Sequence, residues 1–360
     1  MSDSLLPSSR KTFIAAGAAL AATSVLSKGA FAAVTLPPQD QRADADLQRV
    51  LSALAGLNSV TINETLPHIA RELPTFADAL RSVLSADGKP CVEPVAKVAH
   101  EVFAGPAGTL LVRIYTPAGP GPLPIPLYFH GGGFVIADLD TYDASARALA
   151  NAAGAIVVSV AYRLAPQWPF PAAPQDAFTA YQWVLANAAS IGGAPKRIAV
   201  TGESAGGNLA TGVAIAARDK GIQLPVHQLL VYPVTVFGAK HPPASYAANY
   251  TTLPLSTPQL PWFAHYYLSK SGEATNPLAS PLLANVKGLP PATIINADLD
   301  PLRDDGEAYA NHLKSAGVPV TRTVYAGMTH EFFGMGAAVA KAQLAMQEGA
   351  TALKASFAAH

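Results

Sequence analysis

Seven short runs of apolar or β-branched residues recur along the chain, and alanine-rich helical stretches separate most of them. The runs are VRIYTP (112–117), PLYFH (126–130), IVVSVAY (156–162), RIAVTG (197–202), LLVYP (229–233), ATIINAD (292–298) and VPVTRTVYAG (318–327). Most are continuously apolar rather than alternating, as strands buried on both faces are. The helical stretches lie at about 141–153, 175–188, 205–218 and 303–316, with a last one at 337–356. Strand, helix, strand, helix requires a mostly parallel central sheet covered on both faces, so the predicted fold class is α/β.

Two regions stand outside this rhythm. Residues 34–46 read as a linker, and 46–86 show helical spacing. Leu47, Val50, Leu51 and Leu54 fall at i, i+3, i+4 and i+7, on one face, and a second helical run covers about 64–84. Residues 234–290 carry many prolines and the aromatics Phe237, Tyr246, Tyr250, Trp262, Phe263, Tyr266 and Tyr267. That is too long for a plain connection, so we expect an insertion that is partly helical.

The first residues read as an address. Arg10 and Lys11 precede the uncharged apolar run 13–26, and Ala30-Phe31-Ala32 follows with small residues at the cleavage-determining positions. This is the order of a secretory signal. The run is shorter than the roughly 20 residues a bilayer span needs. The stretch Ser9 to Ile14 resembles a twin-arginine signal with lysine in place of the second arginine. The expectation is an exported protein, periplasmic or secreted, with residues 1–32 removed. No later segment predicts a membrane span.

Composition excludes several function classes. The 24 basic and 24 acidic side chains cancel, which speaks against nucleic-acid binding. A hydrophobic fraction of 50% with 13% charged residues speaks against disorder. The single cysteine, Cys91, excludes an intramolecular disulfide and a multi-cysteine zinc site, and we read it as a small buried or partly buried side chain. No metal or cofactor is expected.

Three groups of residues carry chemistry. RIAVTG runs into Gly202-Glu203-Ser204-Ala205-Gly206-Gly207 and then into a helix: a G-x-S-x-G match with a strand before it and a helix after it. A serine at such a turn projects its hydroxyl, and side chains two positions away on either side would collide with neighbouring elements. His130-Gly131-Gly132-Gly133-Phe134 follows another predicted strand. Consecutive glycines let backbone N–H groups face a ligand, as an oxyanion hole requires. A nucleophilic serine also needs a base and a carboxylate to orient it. His330 lies just after the last predicted strand, and Asp298 and Asp300 follow ATIINA. The order Ser, Asp, His is that of α/β-hydrolases.

These motifs together resemble the bacterial hormone-sensitive-lipase-type esterases, often called family IV. The resemblance covers roughly 95–335. It rests on HGGGF, Tyr162-Arg163-Leu164-Ala165-Pro166 with Phe170-Pro171-Ala172-Ala173, GESAGG, Ser280-Pro281-Leu282, DPLRDDG and His330. It implies an α/β-hydrolase fold, with 33–90 as an N-terminal helical cap segment and 91–360 as the catalytic domain carrying a cap-like insertion at about 234–290. It implies Ser204 as nucleophile, His330 as base and Asp300 as orienter. Gly132, Gly133 and Ala205 would donate the oxyanion-hole N–H groups, with Gly131 supporting the turn.

Departures from the family pattern carry expectations of their own. Ala161 and Gln167 replace the usual acidic residues around Arg163, so its partner is either missing or supplied from elsewhere. Glu203 stands where Asp is common. Glu331 replaces the frequent glycine after the histidine and would add negative charge beside the base. The implied function is hydrolysis of short- to medium-chain carboxylic esters through an acyl-enzyme. Sugar-ester deacetylation, lactonase or amidase activity would use the same three residues. A non-catalytic receptor role is disfavoured because His330 is present. The expected partner is a small ester, and a homodimer is left open.

Overall fold

The structure, a computed structural model, describes residues 36–360 except 39, 58–59 and 239–241. The leader read at 1–32 lies outside the described residues. Among the described residues, eight strands form one sheet: β1 (Lys97–Gly105), β2 (Gly108–Thr116), β3 (Leu123–Phe129), β4 (Val157–Ala161), β5 (Gly193–Glu203), β6 (Gln228–Val231), β7 (Ala292–Leu299) and β8 (Val320–Thr329). Their order is β1-β2-β4-β3-β5-β6-β7-β8. The pairs β1/β2 and β2/β4 are antiparallel, and all other neighbours are parallel. All seven predicted runs are strands. The eighth, β1, escaped the sequence reading because it is an edge strand with no fully buried residue, so KVAHEVFAG carries little apolar signal.

The helices are α1 (Ala45–Leu57), α2 (Pro67–Ala70), α3 (Phe76–Ala86), α4 (Asp143–Ala153), α5 (Ala172–Asn187), α6 (Ala205–Asp219), α7 (Ala244–Ala248), α8 (Gln259–Tyr267), α9 (Arg303–Ser315) and α10 (Ala340–Ala358). Side chains alternate across each strand and so supply two cores. Ile125, Leu127, Val158, Val200, Leu230 and Ile294 pack under α5, α6 and α9. Tyr128, Val157, Ala199, Leu229 and Ile295 pack under α4 and α10. The N-terminal helices extend this second core, with Leu47, Val50 and Leu51 of α1 in the same cluster as Leu80, Val83 and Leu84 of α3.

Two expectations need correction. The single helical run at 64–84 is two helices. Thr75 starts α3 with a reciprocal cap, its backbone N–H donating to the Asp78 carboxylate at 2.7 Å, and Pro74 just before it cannot continue α2. Cys91 is exposed rather than buried, in the polar turn that follows α3, where no element packs over it. The insertion at 234–290 holds α7, α8 and two short 3₁₀ turns. Among the described residues, no helix is long and apolar enough to cross a membrane.

Candidate active site

Parallel strands deliver their C-terminal ends to one edge of the sheet, and the candidate residues sit there. Ser204 follows β5 and precedes α6. The HGGGF loop follows β3, Asp300 follows β7, and His330 follows β8.

Ser204 has φ 57° and ψ −117°, a conformation that a side chain other than glycine adopts only at a cost of about 1–3 kcal/mol. Its surroundings hold it there. The Ser204 N–H donates to the Val231 carbonyl at 2.9 Å, and the Ser204 carbonyl accepts from Gly207 and Val234. The elbow packs so closely against β3 that a Cβ on Gly206 would lie 1.9 Å from the Phe129 carbonyl oxygen. That contact is the physical reason for glycine at the last position of the motif.

The HGGGF loop depends on its glycines for shape. Gly132 and Gly133 have φ of 94° and 59°, and a Cβ on Gly133 would enter the Phe263 ring. His130 is a buried prop. Its ring stacks on Tyr162 at 4.3 Å, and the Tyr162 hydroxyl donates to the His130 carbonyl at 2.9 Å. Burial lowers the His130 imidazole to about 4, so it is neutral at pH 7. Ala205 is the first residue of α6, where backbone N–H groups are free of intrahelical partners.

His330 Nδ1 lies 2.7 Å from Asp300 Oδ2, with both side chains buried. Burial alone would lower the imidazole. The Asp300 charge and hydrogen bond, joined by Glu331 and Glu203, outweigh it, and the imidazole is held above its ordinary value. The Asp300 Oδ1 accepts from the Leu302 N–H at 2.8 Å, which fixes the carboxylate plane. Asp298, the rival orienter, points away to Arg303 at 3.4 Å and is 39% exposed.

Ser204, His330, Gly132 and Gly133 line one cavity of about 800 Å³. Its walls come from both irregular regions. Leu54, Ile62 and Phe76 contribute from the N-terminal segment, and Phe237, Leu255 and Phe263 from the insertion. The two regions are tied together, since the Trp262 indole donates to the Thr65 carbonyl at 3.0 Å. Not every aromatic of the insertion faces the cavity. Tyr267 is fully buried and stacks on Phe134 at 3.8 Å.

A carboxylate–tyrosine layer beneath the site was not anticipated in full. The hydroxyls of Tyr128 and Tyr232 donate to the two Glu203 oxygens. The Tyr142 hydroxyl donates to Glu331 at 2.5 Å. The sequence marked Glu203 only as a departure from the common Asp. The tyrosines lie on β3, just after β6 and just before α4, and nothing local in sequence links them. Arg163 does have a partner, from α5: Asp176 receives its guanidinium at 2.7 and 2.8 Å and its backbone N–H at 2.9 Å.

Comparison with known proteins identifies the family. A family described as the alpha/beta hydrolase fold matches residues 126–334. The chain belongs to the α/β-hydrolases, in their hormone-sensitive-lipase-like group. This hydrolase is 40% identical over 282 residues to the esterase LipI of Mycobacterium tuberculosis, covering 77% of this chain and 88% of the relative. It is 40% identical over 240 residues to an ethyl acetate hydrolase of Pseudomonas putida, covering 65% and 74%. A hyperthermophilic esterase from Pyrobaculum calidifontis shares the fold with a TM-score of 0.78 at 36% identity, covering 87% and 98% of the two chains.

Proposed function

We propose that this hydrolase cleaves short- to medium-chain carboxylic esters with Ser204 as nucleophile, His330 as general base and Asp300 as its orienter. The observation that carries the reading is the strained elbow presenting Ser204 to the cavity that also receives His330, itself bonded to Asp300.

His330 takes the Ser204 proton as Oγ attacks the acyl carbon. The carbonyl oxygen gains negative charge and is held by backbone N–H groups of Gly132, Gly133 and Ala205, in a loop supported by Gly131. The imidazolium then gives its proton to the leaving alcohol, and an acyl-serine remains. Water loses a proton to His330 and attacks this ester, and collapse returns the proton to Ser204. Asp300 fixes the ring and offsets the imidazolium charge. Losing one oxyanion donor is expected to cost about 3–4 kcal/mol of transition-state stabilisation.

The chain-length assignment rests on the cavity, which is lined mostly by apolar side chains from the N-terminal segment and the insertion and falls within the usual range for small-molecule sites. It is tested with p-nitrophenyl esters from acetyl to lauroyl, comparing wild type with Ser204→Ala. The expected result is turnover greatest between butanoyl and octanoyl and lost in the variant. A folded wild type that turns over none of them would refute the proposal.

A further inference from the structure

Glu331 occupies a position that costs the chain twice. Its backbone is left-handed, with φ 68° and ψ 7°, a conformation that glycine adopts freely and a long side chain does not. Its carboxyl is buried, and Oε2 has no hydrogen-bond partner. Such costs persist where a site makes use of them. The other oxygen shows what that use is. Glu331 Oε1 accepts from the Tyr142 hydroxyl and lies 3.8 Å from His330 Nε2. Asp300 contacts Nδ1 on the other side of the ring. Nε2 is the nitrogen that must exchange protons with Ser204 and the leaving alcohol, and Glu331 also lines the cavity.

We propose that Glu331 is a positioning residue for the base: as a carboxylate held by Tyr142, it supports the His330 imidazolium from the Nε2 side and so adds a second acidic group on which turnover depends. The proposal rests on the esterase reading above. At 3.8 Å the contact is too long for a hydrogen bond, so the effect is that of charge.

The groups that share this environment determine its pH dependence. His330 and Asp300 approach from the ends of β8 and β7, Glu203 from the end of β5, and Tyr142 from the start of α4. Tyr128, Tyr162 and Tyr232 also feel the Glu331 charge and stay protonated. Burial pushes the Glu331 carboxyl up to about 7, against the lowering effects of His330 and Tyr142. Glu331 and His330 therefore titrate as a pair. The base works when the imidazole is neutral at the start, and the support exists when the carboxyl is ionised. Both conditions fail as pH falls, so the acid limb of kcat/KM responds to two protons.

The test compares wild type, Glu331→Gln and Glu331→Gly on one p-nitrophenyl ester, after turnover has been shown to require Ser204. For Glu331→Gln the expected result is a plateau kcat about tenfold lower, with the acid limb moved down by about one pH unit and reduced to a single proton. Glu331→Gly relieves the backbone strain, so its Tm should equal or exceed that of wild type while kcat falls as in the glutamine variant. An unchanged pH profile in Glu331→Gln, whether or not kcat falls, would overturn the proposal. So would a lowered Tm in Glu331→Gly, which would make the side chain a packing element. Failure of Ser204→Ala to abolish turnover would strike the esterase reading instead, before any Glu331 variant is compared.

Discussion

Ser204 and its neighbours are arranged so that few atoms can change without consequence. Gly206→Ala would place a methyl group against the Phe129 carbonyl, and backbone cannot step aside as a flexible side chain would. We expect a loss of about 3 kcal/mol in urea unfolding, together with loss of activity. The two aspartates at the end of β7, Asp298 within it and Asp300 just after it, differ more simply. Asp300→Asn leaves an amide where His330 needs a carboxylate, and kcat should drop on the order of 10⁴-fold. Asp298→Asn removes only a half-exposed contact to Arg303, and kcat should stay within about twofold. Steady-state kinetics on the two variants separates the alternatives. Ser204, the glycine loop and His330 were legible in sequence because each depends on residues adjacent in the chain. The preference for Asp300 came from family resemblance, and geometry adds the reason, a 2.7 Å contact to the imidazole.

Elements were legible where burial was one-sided or complete. The strands from β3 to β7 have few exposed residues, and their apolar runs record it, while edge strand β8 was marked by its β-branched residues. Edge strand β1 is half solvated and left no such record. The split of 64–84 into α2 and α3 followed from Pro74 and the Thr75 cap, a local signal that periodicity alone overrode. Arg163 illustrates what sequence could not supply. Its partner, Asp176, lies one turn into α5 and is fully buried, so the ion pair joins the loop after β4 to the helix that covers it. Arg163→Ala would leave that carboxylate buried and unpaired, at a cost of about 3–5 kcal/mol. Chemical denaturation should show this as a lower midpoint with an unchanged slope.

At the scale of the whole molecule, the N-terminal segment is fastened to the catalytic edge through Asp40 and Arg42. Asp40 Oδ1 accepts from the Leu253 N–H at 3.0 Å, and Arg42 donates to Asn249 Oδ1 at 3.1 Å. Asn249 in turn donates to the Asp300 carbonyl at 3.0 Å. Burial raises the Asp40 carboxyl from 3.8 to about 6. The native state therefore keeps a proton that the unfolded chain releases, and stability from this group is lost as pH rises between those values. Asp40→Asn keeps the acceptor and removes the charge. It should raise Tm by about 2 °C or more at pH 7 to 8 and leave it unchanged near pH 4. An equal shift at both pH values would show that packing, not ionisation, is responsible.

In the proposed mechanism, the N-terminal segment, the insertion, the glycine loop and the three strand ends serve one chemical event, transfer of an acyl group to Ser204. That event can be trapped. A p-nitrophenyl alkylphosphonate mimics the ester and stops at the covalent stage, and intact-protein mass followed by peptide mapping locates it. The expected result is one phosphonyl group per chain, on Ser204, with ester turnover falling in proportion to labelling and no label in Ser204→Ala. A label on another residue, or ester turnover that survives complete labelling of Ser204, would contradict it.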